Sequence, residues 1–273
     1  MVIDGRAIAE KIKRELAAEV TARAAAPVLY TILVGENPVS ERFLAIKKKF
    51  AEEIGVSVRD KRFSAGVKEE EVLATLQKIA KEKNTGVIVQ LPLPPSFNTE
   101  LILNMVPPLQ DIDVLSQRAV EEFEVGTLPI LPTVVAAFEA IVQEAGIALV
   151  GKRAVVIGRG KLVGAPSAVW LSRAGAVVSI ADENTPDLAS LTKDADIIIC
   201  GAGAPGILKP EMIKEGVVIL DAGTSEQGGK MVGDADPTCA QKASFFTPTP
   251  GGIGPITVAM VFNNLLKLTE EKG

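Results

Sequence analysis

Lys152-Arg153-Ala154-Val155-Val156-Ile157-Gly158-Arg159-Gly160-Lys161-Leu162-Val163-Gly164 carries the strongest fold signal in the chain. An apolar run of strand length, Ala154 to Ile157, passes without a break into a loop with glycines in a GxGxxxG spacing, and a helical pattern follows. Glycines there allow a tight turn and close backbone approach, so that a pyrophosphate can meet the free N–H groups and positive dipole of the helix N-terminus. The spacing is one residue longer than the common dinucleotide fingerprint, and glycine turns join many strands to helices for steric reasons alone. Weight comes from the surroundings: strand-like runs recur at about 154–158, 177–181, 196–200 and 217–221, with helix-sized segments between them. That alternation predicts a parallel, doubly wound sheet.

Upstream, the pattern is again β-α. Asp4 caps a predicted helix carrying Ile8, Ile12, Leu16 and Val20 on one stripe, and Pro27 ends it. A strand over 28–34, a helix opened by Ser40 and stopped by Gly55, a strand over 56–63, a helix over 68–83 and a strand over 86–91 follow. Five prolines between Pro92 and Pro108 mark a boundary region, and helix returns at Thr133. The chain closes with a Pro/Gly-rich loop, Thr247 to Pro255, and an apolar helix from about Ile256. The fold class is therefore α/β with two domains: residues 1–132, with the final helix 256–273 returning to them, and 133–255, a Rossmann-like domain with its linking helix 133–146.

The composition narrows the chemistry. The chain has 273 residues, 29 Lys+Arg against 34 Asp+Glu, and no histidine. A net charge of -5 lacks the basic excess that nucleic acid or an anionic membrane needs. Without histidine, Ser/Cys-His triads and the usual zinc ligand are gone, no metal is expected, and acid-base work falls to a tuned Lys, Asp, Glu, Tyr or Cys. Cys200 ends an apolar run and reads as a buried structural thiol. With no signal-peptide core and no apolar stretch of membrane length, a cytoplasmic protein is expected.

Several residues stand out. Asp182 ends the second strand of the Rossmann-like half, where a carboxylate can accept hydrogen bonds from adenosine ribose hydroxyls, and Glu183 follows it. Together they would repel a 2'-phosphate, whereas Arg159 could attract one; the balance favours NAD over NADP. Lys47, Lys48 and Lys49 read from the bare sequence as a solvated helix face. Gln90 is the polar member of the run Val87-Ile88-Val89-Gln90-Leu91, and a buried amide needs partners. Asp113 can equally be a turn residue.

Four segments of the first half and the C-terminal loop, taken in order, resemble the bifunctional methylenetetrahydrofolate dehydrogenase/methenyltetrahydrofolate cyclohydrolase family. They are Gly35-Glu36-Asn37-Pro38 with Ser40, Phe43 and Lys47; Val89-Gln90-Leu91-Pro92-Leu93-Pro94; Asp111-Ile112-Asp113; and Pro250-Gly251-Gly252-Ile253-Gly254-Pro255-Ile256-Thr257. Val163-Gly164-Ala165-Pro166 and Gly233-Asp234-Ala235-Asp236 agree. The resemblance implies an N-terminal folate-binding catalytic domain, and hydride transfer from 5,10-methylenetetrahydrofolate to NAD(P) followed by hydrolysis to 10-formyltetrahydrofolate. It makes Lys47 the catalytic lysine, Gln90 its orienting partner and Asp113 the carboxylate on the pterin edge. Phe43, Val89, Leu91 and the loop Pro250, Gly251, Gly252, Ile253 and Gly254 become candidate substrate contacts. Gly158, Arg159, Gly160, Gly164, Asp182, Glu183 and Thr224 become candidate cofactor contacts, and a homodimer joined through the nucleotide domain is implied.

The chain departs from the family pattern at three places. Phe43 stands where the family usually has tyrosine, which keeps an aromatic face and removes a hydroxyl. The stretch after Asp113 reads Val114-Leu115-Ser116-Gln117, an altered pterin-side loop. Ala181-Asp182-Glu183 replaces the usual Cys-His-Ser. A dehydrogenase without cyclohydrolase activity, or a silent folate- and nucleotide-binding protein, are the alternatives these departures raise.

Overall fold

The computed structural model describes residues 1–270. In chain order its helices and strands are α1 (Gly5–Ala22), β1 (Val28–Val34), α2 (Pro38–Ile54), β2 (Ser57–Phe63), α3 (Glu69–Ile79), β3 (Thr85–Val89), α4 (Thr99–Leu103), α5 (Gln117–Val125) and α6 (Thr133–Glu144). They continue as β4 (Arg153–Ile157), α7 (Gly164–Arg173), β5 (Val177–Ala181), α8 (Leu188–Thr192), β6 (Ile197–Cys200), β7 (Val218–Asp221), β8 (Ser225–Gln227), β9 (Lys230–Val232), β10 (Phe245–Phe246) and α9 (Ile253–Leu268). Two compact units result: Glu10–Thr133 with the chain from Val258 on, and Met1–Ala9 with Val134–Thr257.

The first unit is built on a three-stranded parallel sheet in the order β2-β1-β3. Strand alternation divides its core in two. Leu29 and Ile88 meet Leu16 and Val20 of α1, Ala51 and Ile54 of α2, and Phe262 and Leu265 of α9 on one face. Tyr30, Ile32, Val87 and Val89 meet Val72, Leu76 and Ile79 of α3 and Ile102 of α4 on the other. Phe50 and Phe262 stack at 5.2 Å between ring centroids. Gly86 of β3 is required by this packing, because a Cβ there would lie 2.5 Å from Ile112 Cδ1 and 2.7 Å from Leu265 Cδ1. Gly86→Ala is accordingly expected to cost about 1–3 kcal/mol in overpacking, read as a lowered denaturation midpoint; an unchanged midpoint would show that the contact relaxes freely.

The second unit carries a five-stranded, all-parallel sheet in the order β10-β7-β6-β4-β5. Counted within the unit this is 5-4-3-1-2, a doubly wound order whose direction reverses between β4 and β6, and ligands of such sheets bind outside the strand C-termini at that point. Met1–Ala9 belong to this unit although the sequence reads as one domain from 1 to 132. Val2 bridges Phe246, and Ile3 N–H donates to the Phe246 carbonyl at 2.8 Å. Pairing through so few backbone groups leaves no side-chain pattern to read. The short β8-β9 hairpin and β10 were equally invisible, being below the length at which alternation shows.

Helix ends match their local chemistry. Asp4 Oδ1 accepts from Arg6 N at 3.0 Å and Ala7 N at 3.2 Å, the cap expected of it. α2 begins at Pro38, two residues before the expected Ser40, because Asn37 Oδ1 accepts the Ser40 N–H at 3.1 Å and proline suits the first turn. α9 begins at Ile253, three residues earlier than expected, so Gly254 and Pro255 lie in its first turn. Among the described residues no helix is long and apolar enough to cross a membrane. Cys200 and Cys239 are both buried and free.

Candidate active site

On α2 the four-residue spacing puts Phe43 and Lys47 on one helical face. Lys47 Nζ donates to Gln90 Oε1 at 3.0 Å, and Gln90 sits just past the end of β3, its own N–H donating to the Ile32 carbonyl at 2.9 Å. The neighbouring lysines go elsewhere: Lys48 pairs with Asp60 on β2, and Lys49 is exposed. Thus the three lysines that the bare sequence leaves equivalent are separated by geometry. Desolvation of Lys47 holds its ammonium below the ordinary lysine pKa, with the negative charge of Asp113 acting in the opposite sense.

Asp113 is half-buried, and its Oδ1 accepts the Thr133 hydroxyl at 2.8 Å. The loop beneath it is held by Asp111, only 5% exposed, whose Oδ2 accepts from Leu115 N at 2.9 Å and Ser116 N at 2.7 Å. Burial pushes the Asp111 carboxyl up to about 6 despite those amides. Between them Val114 takes φ 58°, a left-handed conformation that a β-branched residue adopts only when its surroundings impose it. Asn264 of α9 adds a further tie, donating Nδ2 to the Ile112 carbonyl at 3.1 Å and the Leu131 carbonyl at 2.8 Å. Asp111 and Asn264 are supports that the sequence reading did not assign. A polar residue in the apolar run Val258-Ala259-Met260-Val261-Phe262-Asn263-Asn264-Leu265 was the available signal for the second.

The other candidates on this unit divide. Val89 is buried in the core beside Leu76, so its side chain is already taken. Leu91 is half-buried against the same cluster, and Phe43 is half-buried on α2.

On the second unit, Gly158 takes φ 107° and its Cβ position lies 2.5 Å from the Gly201 carbonyl oxygen, while a Cβ at Gly164 would lie 2.1 Å from the Gly158 oxygen. Both are sterically obligatory, as a strand-loop-helix turn for a pyrophosphate demands. A Cβ at Gly160 meets nothing within 4 Å, so its openness is not needed for internal packing. Arg159 Nε donates to Asp182 Oδ2 at 2.5 Å, and this pairing is the main cause holding the Asp182 carboxyl below the usual range. Glu183 and Thr224 are exposed. The loop from Pro250 to Gly254 is pressed on the N-terminus: Gly5 N–H donates to the Gly251 carbonyl at 3.1 Å, and a Cβ at Gly5 would lie 1.7 Å from the Gly252 oxygen.

A lysine with a depressed pKa beside an amide and a carboxylate, and a glycine turn at the switch point of a parallel sheet, are the two parts the resemblance required. Two family models match the chain: the catalytic domain of tetrahydrofolate dehydrogenase/cyclohydrolase over residues 3–113, and the NAD(P)-binding domain of the same family over 132–273. The chain belongs to the tetrahydrofolate dehydrogenase/cyclohydrolase family. Among curated relatives, the bifunctional protein FolD 2 of Geobacter metallireducens is 37% identical over 278 residues, covering 100% of this chain and 98% of the relative. The solved FolD dehydrogenase/cyclohydrolase of Campylobacter jejuni superposes with a TM-score of 0.95 at 35% identity, covering 98% of each chain. The Trypanosoma brucei FolD, solved with NADP cofactor and inhibitor, gives a TM-score of 0.93 at 32% identity, with 98% of this chain and 97% of that one covered. As a member of the tetrahydrofolate dehydrogenase/cyclohydrolase family, the chain is of an enzyme fold with an NAD(P)-binding domain.

Proposed function

We propose that this protein oxidises 5,10-methylenetetrahydrofolate to the methenyl cation with NAD and hydrolyses that product to 10-formyltetrahydrofolate. The observation that carries the reading is the hydrogen bond from Lys47 to Gln90, with Asp113 close enough to act on the lysine charge. The bound dinucleotide supplies the hydride acceptor. Glycines at 158 and 164 leave room for its pyrophosphate near the N-terminus of α7, and Asp182 would accept from the adenosine ribose hydroxyls.

For hydrolysis, water adds to the electron-poor amidinium carbon, and the attacking water must lose a proton as the C–O bond forms. A neutral Lys47 amine takes it; burial and an adjacent cationic substrate both favour the neutral form. The proton can then go to the ring nitrogen that departs when the C–N bond opens. Gln90 aims the amine through its carbonyl oxygen. Asp113 faces two adjacent N–H donors of the pterin, a match of acceptor pair to donor pair. Phe43 supplies an aromatic face for the aminobenzoyl ring without a hydroxyl partner for the lysine, and this favours one second reading, a dehydrogenase without hydrolase activity. Assaying both half-reactions on the purified protein separates the readings: nicotinamide reduction with slow methenyl hydrolysis supports the first, reduction without hydrolysis the second, and folate binding without turnover a silent binder.

Preference for NAD rests on the Arg159–Asp182 pair. The cation that could hold a 2'-phosphate is engaged by a carboxylate that would repel one, with Glu183 exposed beside it. Asp182→Ser is expected to raise the NADP/NAD ratio of kcat/KM by about tenfold or more, since it removes a repulsion and releases Arg159. An unchanged ratio would remove Asp182 from cofactor selection.

A homodimer through the nucleotide-binding unit is part of the proposal. β5 is an edge strand paired with β4 alone, and Val177 on it is 64% exposed, the kind of edge a second copy covers. Sedimentation at micromolar concentration should give twice the chain mass. The buried free thiols suit the reducing cytoplasmic setting.

A further inference from the structure

Two buried carboxylates in the nucleotide-binding unit take no part in either half-reaction. Asp221 ends β7 and Asp234 follows the β8-β9 hairpin; they are 1% and 0% exposed. Asp234 Oδ2 accepts from Ala202 N at 2.7 Å and Gly203 N at 3.0 Å, and its Oδ1 from Ala204 N at 2.8 Å. Asp221 Oδ1 accepts from Gly223 N at 2.8 Å and Asp234 N at 3.2 Å, and its Oδ2 from Ala235 N at 2.8 Å. Asp221 therefore holds the backbone of Asp234, and Asp234 holds the backbone of residues 202–204. Space for both is reserved by glycine: a Cβ at Gly223 would lie 2.2 Å from Asp234 Cγ, and one at Gly233 would lie 2.2 Å from Asp221 Oδ2.

The gripped segment, Gly201-Ala202-Gly203-Ala204, has no side chain larger than a methyl with which to anchor itself. It leaves the C-terminal end of β6, beside the loop that leaves β4, at the point where the sheet order reverses. Contact between the loops is tight. A Cβ at Gly158 would lie 2.5 Å from the Gly201 oxygen, and a Cβ at Gly201 would lie 2.3 Å from Val163 Cγ1. Ala202 and Gly203 are exposed. Converging backbone amides of this kind ordinarily attract an anion. Here an internal carboxylate satisfies them, which leaves the glycine turn at 158–164 to receive the dinucleotide pyrophosphate.

We infer that Asp234, itself set by Asp221, is a positioning residue that fixes the 201–204 loop as the second wall of the dinucleotide site. The inference rests on the proposed use of NAD, and its test keeps the two apart. Asp234→Asn preserves shape but turns an amide nitrogen toward backbone N–H groups that need an acceptor. Two quantities are compared with the parent: the calorimetric Kd for NAD, and the rate of methenyltetrahydrofolate hydrolysis measured without dinucleotide. The expected result is a Kd raised about tenfold or more with hydrolysis within about twofold. An unchanged Kd, or parallel loss of binding and hydrolysis with a lowered melting temperature, would overturn the inference in favour of a purely structural latch. If Asp234→Asn does not fold, Gly201→Ala replaces it; this change leaves both carboxylates in place and pushes the loop off Val163. It too should weaken NAD selectively, and parent-level affinity would overturn the inference. A parent that binds NAD but reduces none defeats the functional reading alone; one that does not bind NAD defeats both.

Discussion

Lys47→Met should lower methenyltetrahydrofolate hydrolysis by about 10²–10⁴-fold, the usual contribution of a positioned acid-base group, while NAD affinity stays at the parent level. Methionine keeps the length and apolar stem of lysine and removes the amine alone. The fold should tolerate this, because losing a desolvated ammonium offsets part of the cost of leaving Gln90 Oε1 without its donor. Two pH signatures accompany the loss. In the parent, hydrolysis should rise with pH as the amine deprotonates, along a limb below the ordinary lysine pKa, since burial lowers the Lys47 value. Asp113 acts to raise it, so Asp113→Asn should move the limb to lower pH as well as weakening folate binding. A Lys47→Met enzyme with parent-like hydrolysis would assign the chemistry to another residue.

Asp111→Ala should be costly through a different route. It strips the acceptor from two amides, those of Leu115 and Ser116, and frees a loop in which Val114 is held at φ 58°. Two amides left without their acceptor, offset in part by relief of the strained left-handed valine, point to about 1–3 kcal/mol of lost stability. The folate KM should rise about tenfold or more, because Asp113 rides on the released loop. Asp111→Asn probes the electrostatics separately. The folded-state pKa of Asp111 is raised to about 6, above the ordinary carboxylate value, so its contribution to stability is full at low pH and declines as pH rises through about 6. The neutral variant lacks that decline. Denaturation at about pH 4 and about pH 7 should therefore show the parent losing stability relative to Asp111→Asn as pH rises; parallel curves would mean that Asp111 does not titrate in this window.

What the sequence disclosed depended on how far each feature reaches along the chain. The Asp4 cap, the strand over 28–34 and the glycine turn at 158–164 are written in adjacent residues, and each was readable. Lys47 was not separable from Lys48 and Lys49 by composition or periodicity; only the family register singled it out, and the different partners of Lys47 and Lys48, Gln90 and Asp60, lie on strands or strand ends twelve and more residues away. Asn264 and Asp234 act on backbone groups far away in sequence, Asn264 on the carbonyls of Ile112 and Leu131 and Asp234 on the amides of residues 202–204, and Asp111 sits in a turn where a carboxylate has no periodicity to mark it. Residues 1–9 join the second unit through a few β-type backbone bonds to Phe246, a pairing separated by more than two hundred positions. The missing histidine, at first an exclusion, fits the proposal that a desolvated lysine is the base.

The most direct test of the proposed function is a spectrophotometric assay of the purified protein with 5,10-methylenetetrahydrofolate and either NAD or NADP, following reduced nicotinamide and the methenyl product together. NAD should be reduced faster than NADP, with methenyltetrahydrofolate forming and then decaying to the 10-formyl compound. Absence of nicotinamide reduction with both dinucleotides would contradict the proposed function.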